Sequence, residues 1–319
     1  MSKAVKVWLI VAGSITLLGC IILAGVMLFV NGDIIKMFTN RYETNKYDIS
    51  EEFSSISLNT DTAEITFVLY EASNASVECF EPQSLKHSVN VKDGILFVEV
   101  STKKWYDYIG ISVTCPKITV YLPKAEYSSL TVNGSTGDIE ISNSFKFENI
   151  NIAVSTARVK SYASASQSVK IAASTGDIYV EDTTAESLEI VVSTGKVTVS
   201  DVTCEGDISI GVTTGKTLLN NINCKNFKSN GSTGDISLNN VIANEKLSIE
   251  RSTGRVIFDG SDADEIFVKT DTGDVKGSLL SDKVFLVRTD TGDIDVPKTV
   301  AGGKCEITTD TGDIKITVK

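Results

Sequence analysis

The sequence predicts an all-β protein, a parallel β-solenoid (β-helix-like) of 19–20-residue coils that is preceded by one transmembrane helix. The main observation is that Ser-Thr-Gly-Asp, or a close variant, recurs at that spacing through the last two thirds of the chain. Apolar and polar residues alternate on both sides of each glycine, which is typical of half-buried strands. A long uncharged stretch near the N-terminus predicts the helix.

The N-terminal stretch carries no charged residue from Val7 to Val30. A helix of that length spans ~36 Å, more than the ~30 Å hydrocarbon core of a bilayer. Lys3 and Lys6 precede it and favour a cytoplasmic N-terminus. The prediction is therefore a cytoplasmic segment (1–6), a single-pass transmembrane helix (7–30) and a polar linker (31–48), with the C-terminal domain outside the cytoplasm.

Two other interpretations of this segment stay open. Leu17, Leu18, Gly19 and Cys20 form a loose lipobox, which would make Cys20 a lipidated residue, and a cleaved signal peptide would also begin with an apolar stretch. The apolar run continues past Cys20 to Val30, whereas a mature lipoprotein usually turns polar after its cysteine. An uncleaved anchor is the favoured interpretation.

The repeat is aligned on its glycine, here called the Gly slot. The slot is occupied by Gly137, Ala157, Gly176, Gly195, Gly215, Gly234, Gly254, Gly273, Gly292 and Gly312. The positions seven and five before the slot, and two and four after it, are apolar in 36 of 40 cases. Because a coil with two short strands cannot bury its apolar face alone, stacking is expected to form one continuous core. Residues 130–319 are predicted to form ten regular coils, and residues 49–129 an irregular β cap with an isolated repeat copy at Asp61–Glu64.

The corner of each coil has its own pattern. The Gly slot is expected to need a positive φ. The residue before it is threonine in every coil, and its inward parity predicts a buried structural ladder. The ladder comprises Thr136, Thr156, Thr175, Thr194, Thr214, Thr233, Thr253, Thr272, Thr291 and Thr311.

The last three coils read Asp-Thr-Gly-Asp, which places six carboxylates in a row of otherwise mixed charge. They are Asp271, Asp274, Asp290, Asp293, Asp310 and Asp313. A solvated surface is the favoured interpretation, and calcium bridging between coils is a hypothesis. Asp-Thr-Gly is also the aspartic-protease motif, but here it falls in a repeat slot, and the short spacing leaves no room for two lobes.

Other reactive residues are few. Cys204 and Cys224 occupy the same slot of adjacent coils, so they could form a disulfide or remain a buried reduced pair. His87 is the one histidine, which argues against a multi-histidine metal site, and it is expected to be a surface or cap residue. Trp105, Tyr106 and Tyr108 form an aromatic loop that belongs to the cap or contacts a partner.

Composition excludes several function classes. The formal net charge of −11 argues against nucleic acid as a partner. No catalytic residues and no cofactor are expected, because no serine–histidine or cysteine–histidine arrangement is available. The expected partners are the membrane, through the single-pass anchor, and an extracellular protein or glycan of unknown identity. The last strand, which ends at Lys319, is expected to leave a C-terminal edge through which copies could self-associate.

The anchor, the strand Ile118–Leu122 and the repeated Ser-Thr-Gly-Asp units resemble the bacterial "putative adhesin" β-strand-repeat family, a domain of unknown function. The resemblance covers roughly residues 50–319. It implies a non-catalytic cell-surface adhesin or envelope structural module, or an accessory role in cell-envelope stress sensing. A carbohydrate-active β-helix enzyme is the least favoured alternative.

Overall fold

The computed structural model describes residues 3–29, 41–100 and 114–319. Its one helix, α1, covers Lys3–Phe29. Within it, the 21 residues of Val5–Gly25 are long and apolar enough to cross a membrane. The predicted apolar helix is thus confirmed as a helix, and its last predicted residue, Val30, lies outside the described ranges.

The remainder of the described chain is β-structure in one continuous sheet. The strands, in chain order, are β1 (Tyr42–Ile49), β2 (Ser55–Thr62), β3 (Glu64–Leu69), β4 (Ala75–Pro82), β5 (His87–Lys92), β6 (Ile95–Val100), β7 (Lys117–Leu122), β8 (Glu126–Thr136), β9 (Ile139–Ile141), β10 (Lys146–Thr156), β11 (Val159–Ser161), β12 (Ser164–Thr175), β13 (Ile178–Glu181), β14 (Thr184–Ala185), β15 (Ser187–Thr194), β16 (Val197–Cys204), β17 (Asp207–Thr214), β18 (Thr217–Thr233), β19 (Ile236–Thr253), β20 (Val256–Thr272), β21 (Val275–Leu279), β22 (Lys283–Thr291), β23 (Ile294–Asp295), β24 (Gly303–Thr311) and β25 (Ile314–Val318).

Corresponding slots of neighbouring coils pair in parallel, which confirms the solenoid. Leu130, Ile150 and Val169 all stand seven residues before the Gly slot, and each pairs with the next. The members of the four predicted columns are buried, apart from Gly277 and those of the coil at residues 285–296. The core is therefore a stack of aliphatic columns, and each column gains contacts from the coil above and the coil below.

The corners match the prediction in backbone but not in side-chain direction. The nine glycines of the Gly slot have φ between +128° and +155°, while Ala157 has no positive φ. All ten ladder threonines pair in register but are exposed, so the prediction that they point inward is wrong. The physical reason is that the pairing between strands skips the residue two positions before the Gly slot. The alternation of strand faces breaks at that point as the chain begins to turn.

The aspartates that follow the Gly slot satisfy backbone donors of the next coil. Asp138 Oδ1 accepts from the Arg158 N–H at 3.0 Å, and Asp235 Oδ1 accepts from the Arg255 N–H at 3.0 Å. Both arginine side chains also form ion pairs with these aspartates, at 3.2 and 2.8 Å. The repeated aspartate therefore links the coils along the solenoid axis.

The N-terminal end is closed by antiparallel strands. β2 and β3 lie between β6 and β7 on one side and β8 and β9 on the other. The copy at Asp61–Glu64, which the sequence suggested was isolated, is thus the corner of a coil in register with its neighbours. β4 runs antiparallel to β7 and to β1, and β5 runs antiparallel to β6. These antiparallel strands form the cap.

At the C-terminal end, the order of coils along the axis differs from their order along the chain. β24 pairs with β20 on one side and β22 on the other, and β25 likewise lies between β21 and β23. The last coil is therefore internal, and the expectation that the final strand forms the free edge is wrong. Gly302 and Gly303 permit this insertion, since a Cβ at either would lie 1.8 Å from a carbonyl oxygen of an adjacent coil.

The buried guanidinium of Arg251 explains why two positions in the apolar columns, Thr217 and Ser229, are polar. Arg251 is 4% exposed, and its guanidinium donates to Thr217 Oγ1 at 3.2 Å and to Ser229 Oγ at 2.9 Å. Gly231 leaves the space, because a Cβ there would lie 1.7 Å from Arg251 Nη1. Burial lowers the pKa of Arg251 to about 10.

Candidate interaction surface at the open end of the solenoid

The end opposite the cap is formed by β22 and β23. Among the strands that the structure describes, β22 pairs only with β24, and β23 pairs only with β25. One edge of each strand therefore has no strand partner, although the Lys283 carbonyl of β22 accepts from Thr299 Oγ1. Such an edge is a template on which another strand can pair. We call this surface, made by residues 280–300, the open end.

The open end is held to the stack by a buried ion pair. Lys283 Nζ lies 2.7 Å from the Asp262 carboxylate and donates to the Ala263 carbonyl at 2.6 Å. The Lys283 side chain is 4% exposed. This lysine reaches past the inserted last coil to the coil beyond it, so it fixes β22 in its terminal position.

Apolar side chains are exposed across this surface. Leu286 is 51% exposed, Ile294 46% and Leu280 45%. Phe285 and Val287 pack against the core from one side only, because no coil within the described ranges covers the other side. Contiguous apolar patches that are exposed on a protein surface often mark interaction sites.

The outward slots of β22 depart from the repeat. Eight residues before the Gly slot, Val284 stands where all nine other coils have a polar residue. Six residues before it, Leu286 stands in a column that is polar in eight of the other coils, with Phe267 as the remaining exception. The coil at the open end therefore carries apolar residues on its outer face as well as on its inner face.

Charged residues flank the apolar patch. Arg288 Nη2 donates to Asp290 Oδ1 at 2.9 Å, and both side chains are exposed. Asp282 is exposed immediately before β22. Asp282, Val284, Leu286 and Arg288 alternate with inward residues, so they share the outer face of the edge strand.

The aspartates proposed as calcium ligands lie at the corners of the last three coils, and two of them, Asp290 and Asp293, belong to the open end. Coil insertion places Asp313 between Asp274 and Asp293: Asp274 Oδ1 accepts from the Asp313 N–H at 2.9 Å, and Asp313 Oδ1 accepts from the Asp293 N–H at 3.1 Å. Lys276 and Lys315 form ion pairs with this row at 2.8 to 3.6 Å. The pKa of Asp274 falls below its usual value, mainly through Lys276, and that of Asp313 falls mainly through the Asp293 N–H. Calcium binding stays a prediction, in a row that already has cationic partners.

The two cysteines of adjacent coils are both buried free thiols here. Burial raises the pKa of Cys204 and of Cys224 to about 12, and it does the same for Cys79 and Cys305. These thiols are therefore poor nucleophiles near neutral pH. A disulfide between Cys204 and Cys224 stays a prediction.

Two further expectations concern the cap. His87 is 5% exposed at the start of β5, so the expectation of a surface histidine is wrong for its side chain, while its place in the cap is as expected. The aromatic loop of Trp105, Tyr106 and Tyr108 lies outside the described residues. Val284 and Leu286 do not stand out when only the inward columns of the repeat are aligned, but an alignment of the outward columns identifies them.

The fold and its two unlike ends define a parallel β-solenoid with a capped end and an open end, preceded by an apolar helix. The chain belongs to the Toastrack DUF4097 family, whose profile matches residues 53–215 and 204–319. The resemblance to bacterial adhesin-like repeats is thereby confirmed at the level of a domain family of unknown function. No curated protein matches the chain.

Solved structures with a similar fold include three bacterial proteins, each described as a putative adhesin. The one from Parabacteroides merdae is 12% identical with a TM-score of 0.46, over 75% of this chain and 98% of that chain. The one from Bacteroides fragilis is 16% identical with a TM-score of 0.40, over 87% and 97%. The one from Parabacteroides distasonis is 11% identical with a TM-score of 0.46, over 85% and 99%. At TM-scores below 0.5, these likenesses carry no functional argument.

Proposed function

We propose that this protein is a non-catalytic, membrane-anchored adhesion module of the cell surface, and that its open end binds the open end of a second copy. The observation that carries the proposal is the unpaired edge of β22 with Val284 and Leu286 on its outer face. An edge strand of a monomer is ordinarily blunted by charge or proline. β22 carries charged residues as well, but between Lys283 and Arg288 it places apolar residues where the other coils are mostly polar.

The chemistry of the edge favours a second copy as the occupant. If two β22 strands pair antiparallel about a two-fold axis at Phe285, Val284 of each lies opposite Leu286 of the other. The same register sets Arg288 opposite Asp282 of the second copy. At these four outer positions an apolar residue meets an apolar residue and a charge meets its opposite, as a self-complementary interface requires.

The position of the membrane anchor determines what an end-to-end pair could connect. The chain enters the domain at β1, in the cap, so the tether is attached at the end opposite the contact surface. About twelve stacked layers at ~4.8 Å each give a solenoid of roughly 60 Å. An end-to-end pair therefore carries its two tethers at opposite ends, about 120 Å apart, which suits a contact between two membranes.

Vesicle clustering tests the proposal. The full-length chain reconstituted into lipid vesicles is expected to cluster them, as measured by dynamic light scattering. Leu286→Lys removes two apolar contacts per pair, worth about 3 kcal/mol or more in total, so the dissociation constant should rise at least 100-fold and clustering should stop. Val191→Lys is the matched control, because Val191 is 49% exposed on the outer face of a central strand, β15.

Several results would contradict the proposal. Vesicles that carry the wild-type chain would stay dispersed if the open end had no affinity for another copy. Equal loss of clustering in Leu286→Lys and Val191→Lys would mean that the open end is not the contact surface. Extraction of the protein from vesicles by alkaline carbonate would show that α1 does not anchor it.

A further inference from the structure

The cap brings three different metal-ligating side chains together. Cys79 and Glu81 lie two residues apart on β4 and so face the same side of the sheet. Both are 0% exposed, and His87 at the start of β5 is 5% exposed. One ligand atom from each of these three side chains lies within 4.8 Å of the other two.

The Glu81 carboxylate is held in place by hydrogen bonds from its neighbours. Glu81 Oε2 lies 2.6 Å from His87 Nδ1 and accepts from the His87 backbone N–H at 2.7 Å. Glu81 Oε1 accepts from Asn45 Nδ2 at 2.7 Å. Tyr47 Oη donates to the His87 carbonyl at 3.1 Å, so the backbone of this histidine is held as well. Such secondary contacts orient ligands in metal sites.

Two groups remain without a suitable partner. His87 Nε2 is buried and has no hydrogen-bond partner. Among the described residues, His87 is also the only basic residue within 4.0 Å of the Glu81 carboxylate, since Lys86 pairs with Glu43. A fully buried carboxylate is costly unless a positive charge compensates it.

We propose that Cys79, Glu81 and His87 bind one divalent transition-metal ion of the zinc type in the cap. Sulfur, nitrogen and oxygen ligands together are typical of Zn²⁺. Ligand atoms around a tetrahedral Zn²⁺ lie roughly 3 to 4 Å apart, so side-chain movements of about 1 Å would bring the three ligands to these distances, with water in the fourth position. Binding releases the Cys79 thiol proton to solvent, and the ion neutralises the buried carboxylate.

A bound ion would stabilise the cap by cross-linking its strands. Its ligands join β4 to β5, and Asn45 connects β1 to the same carboxylate. The cap is the end at which the chain enters the solenoid. A bound ion would therefore stabilise the tethered end, independently of what the open end contacts.

Cobalt titration tests the site directly. The full-length chain in detergent is stripped with a chelator and titrated with Co²⁺, whose thiolate complexes absorb in the near ultraviolet. One equivalent of Co²⁺ is expected to produce this thiolate band, and added Zn²⁺ is expected to remove it. Cys79→Ser should abolish the band, while Cys305→Ser, which alters a buried cysteine outside the cap, should retain it.

The histidine variant keeps the proposal testable if Cys79→Ser does not fold. In His87→Gln, Co²⁺ affinity is expected to fall at least tenfold, and Zn²⁺ should no longer raise the melting temperature as it does for the wild-type chain. Absence of a thiolate band in the wild-type chain, or an undiminished band in Cys79→Ser, would overturn the proposal. Those results would identify Glu81 and His87 as a hydrogen-bonded structural pair.

Discussion

The corner glycines provide a quantitative test of the solenoid. Gly215 has φ +145°, and a Cβ built on it would lie 1.8 Å from the carbonyl oxygen of Gly195 in the adjacent coil. Gly215→Ala therefore incurs two costs. An alanine in this backbone region is strained by about 1–3 kcal/mol, and forcing the coils apart at the corner costs about 1–3 kcal/mol more.

We expect Gly215→Ala to lower the free energy of unfolding by about 2–6 kcal/mol in total. The measurement is urea unfolding of the full-length chain in detergent, followed by far-ultraviolet circular dichroism. Gly211→Ala is the matched control, because Gly211 lies on β17, the strand that immediately precedes Gly215. Its φ is not positive, and the nearest atom to a Cβ there is 3.9 Å away. It should be neutral or stabilising by less than about 1 kcal/mol. Equal midpoints for Gly215→Ala and the wild-type chain would refute the stacking geometry.

Three further predictions concern other sites. Because burial lowers the pKa of Arg251 to about 10, the unfolded chain retains this proton to higher pH than the folded chain does. The wild-type chain should therefore gain unfolding free energy relative to Arg251→Met as pH rises through about 10 in urea titrations, and a constant difference would contradict this. The buried thiols should resist iodoacetamide at pH about 8 until the chain unfolds, as read by mass spectrometry of the labelled peptides; early labelling of Cys204 or Cys224 would contradict their burial. Because Lys276 and Lys315 already form ion pairs with the aspartate row, we expect EGTA to leave the melting temperature unchanged. A lower melting temperature in EGTA would indicate that calcium bridges the row.

The inward columns could be predicted because alternation and period define them locally. Ile152 and Ile171, for example, lie in the core as their slots require. The order of the coils could not be predicted in this way. Every coil presents nearly the same columns, so a coil can stack in register on the next coil or on the one after it. The insertion of β24 depends on backbone space at Gly302 and Gly303, which the repeat pattern does not encode.

The candidate sites were less predictable than the core. The threonine ladder was placed inward because strand parity was extended to Thr136 and its equivalents, where the chain has already turned. Cys79, Glu81 and His87 lie in the irregular cap, which has no repeat to position them. Val284 and Leu286 were visible as apolar residues in mostly polar columns, but their position at an open end depends on coil order.

Charge exchange at the open end tests the central claim most directly. In Arg288→Asp, two aspartates oppose each other across the proposed pair, and in Asp282→Arg two arginines do. Opposing like charges on paired strands costs about 1 kcal/mol at each of the two contacts, so each variant alone should weaken association roughly 30-fold. Vesicles bearing either variant are therefore expected to remain dispersed. Mixing the two populations restores both opposite-charge contacts, so the mixture should cluster like the wild-type chain. A mixture that stays dispersed, or variants that cluster alone, would contradict end-to-end pairing through β22.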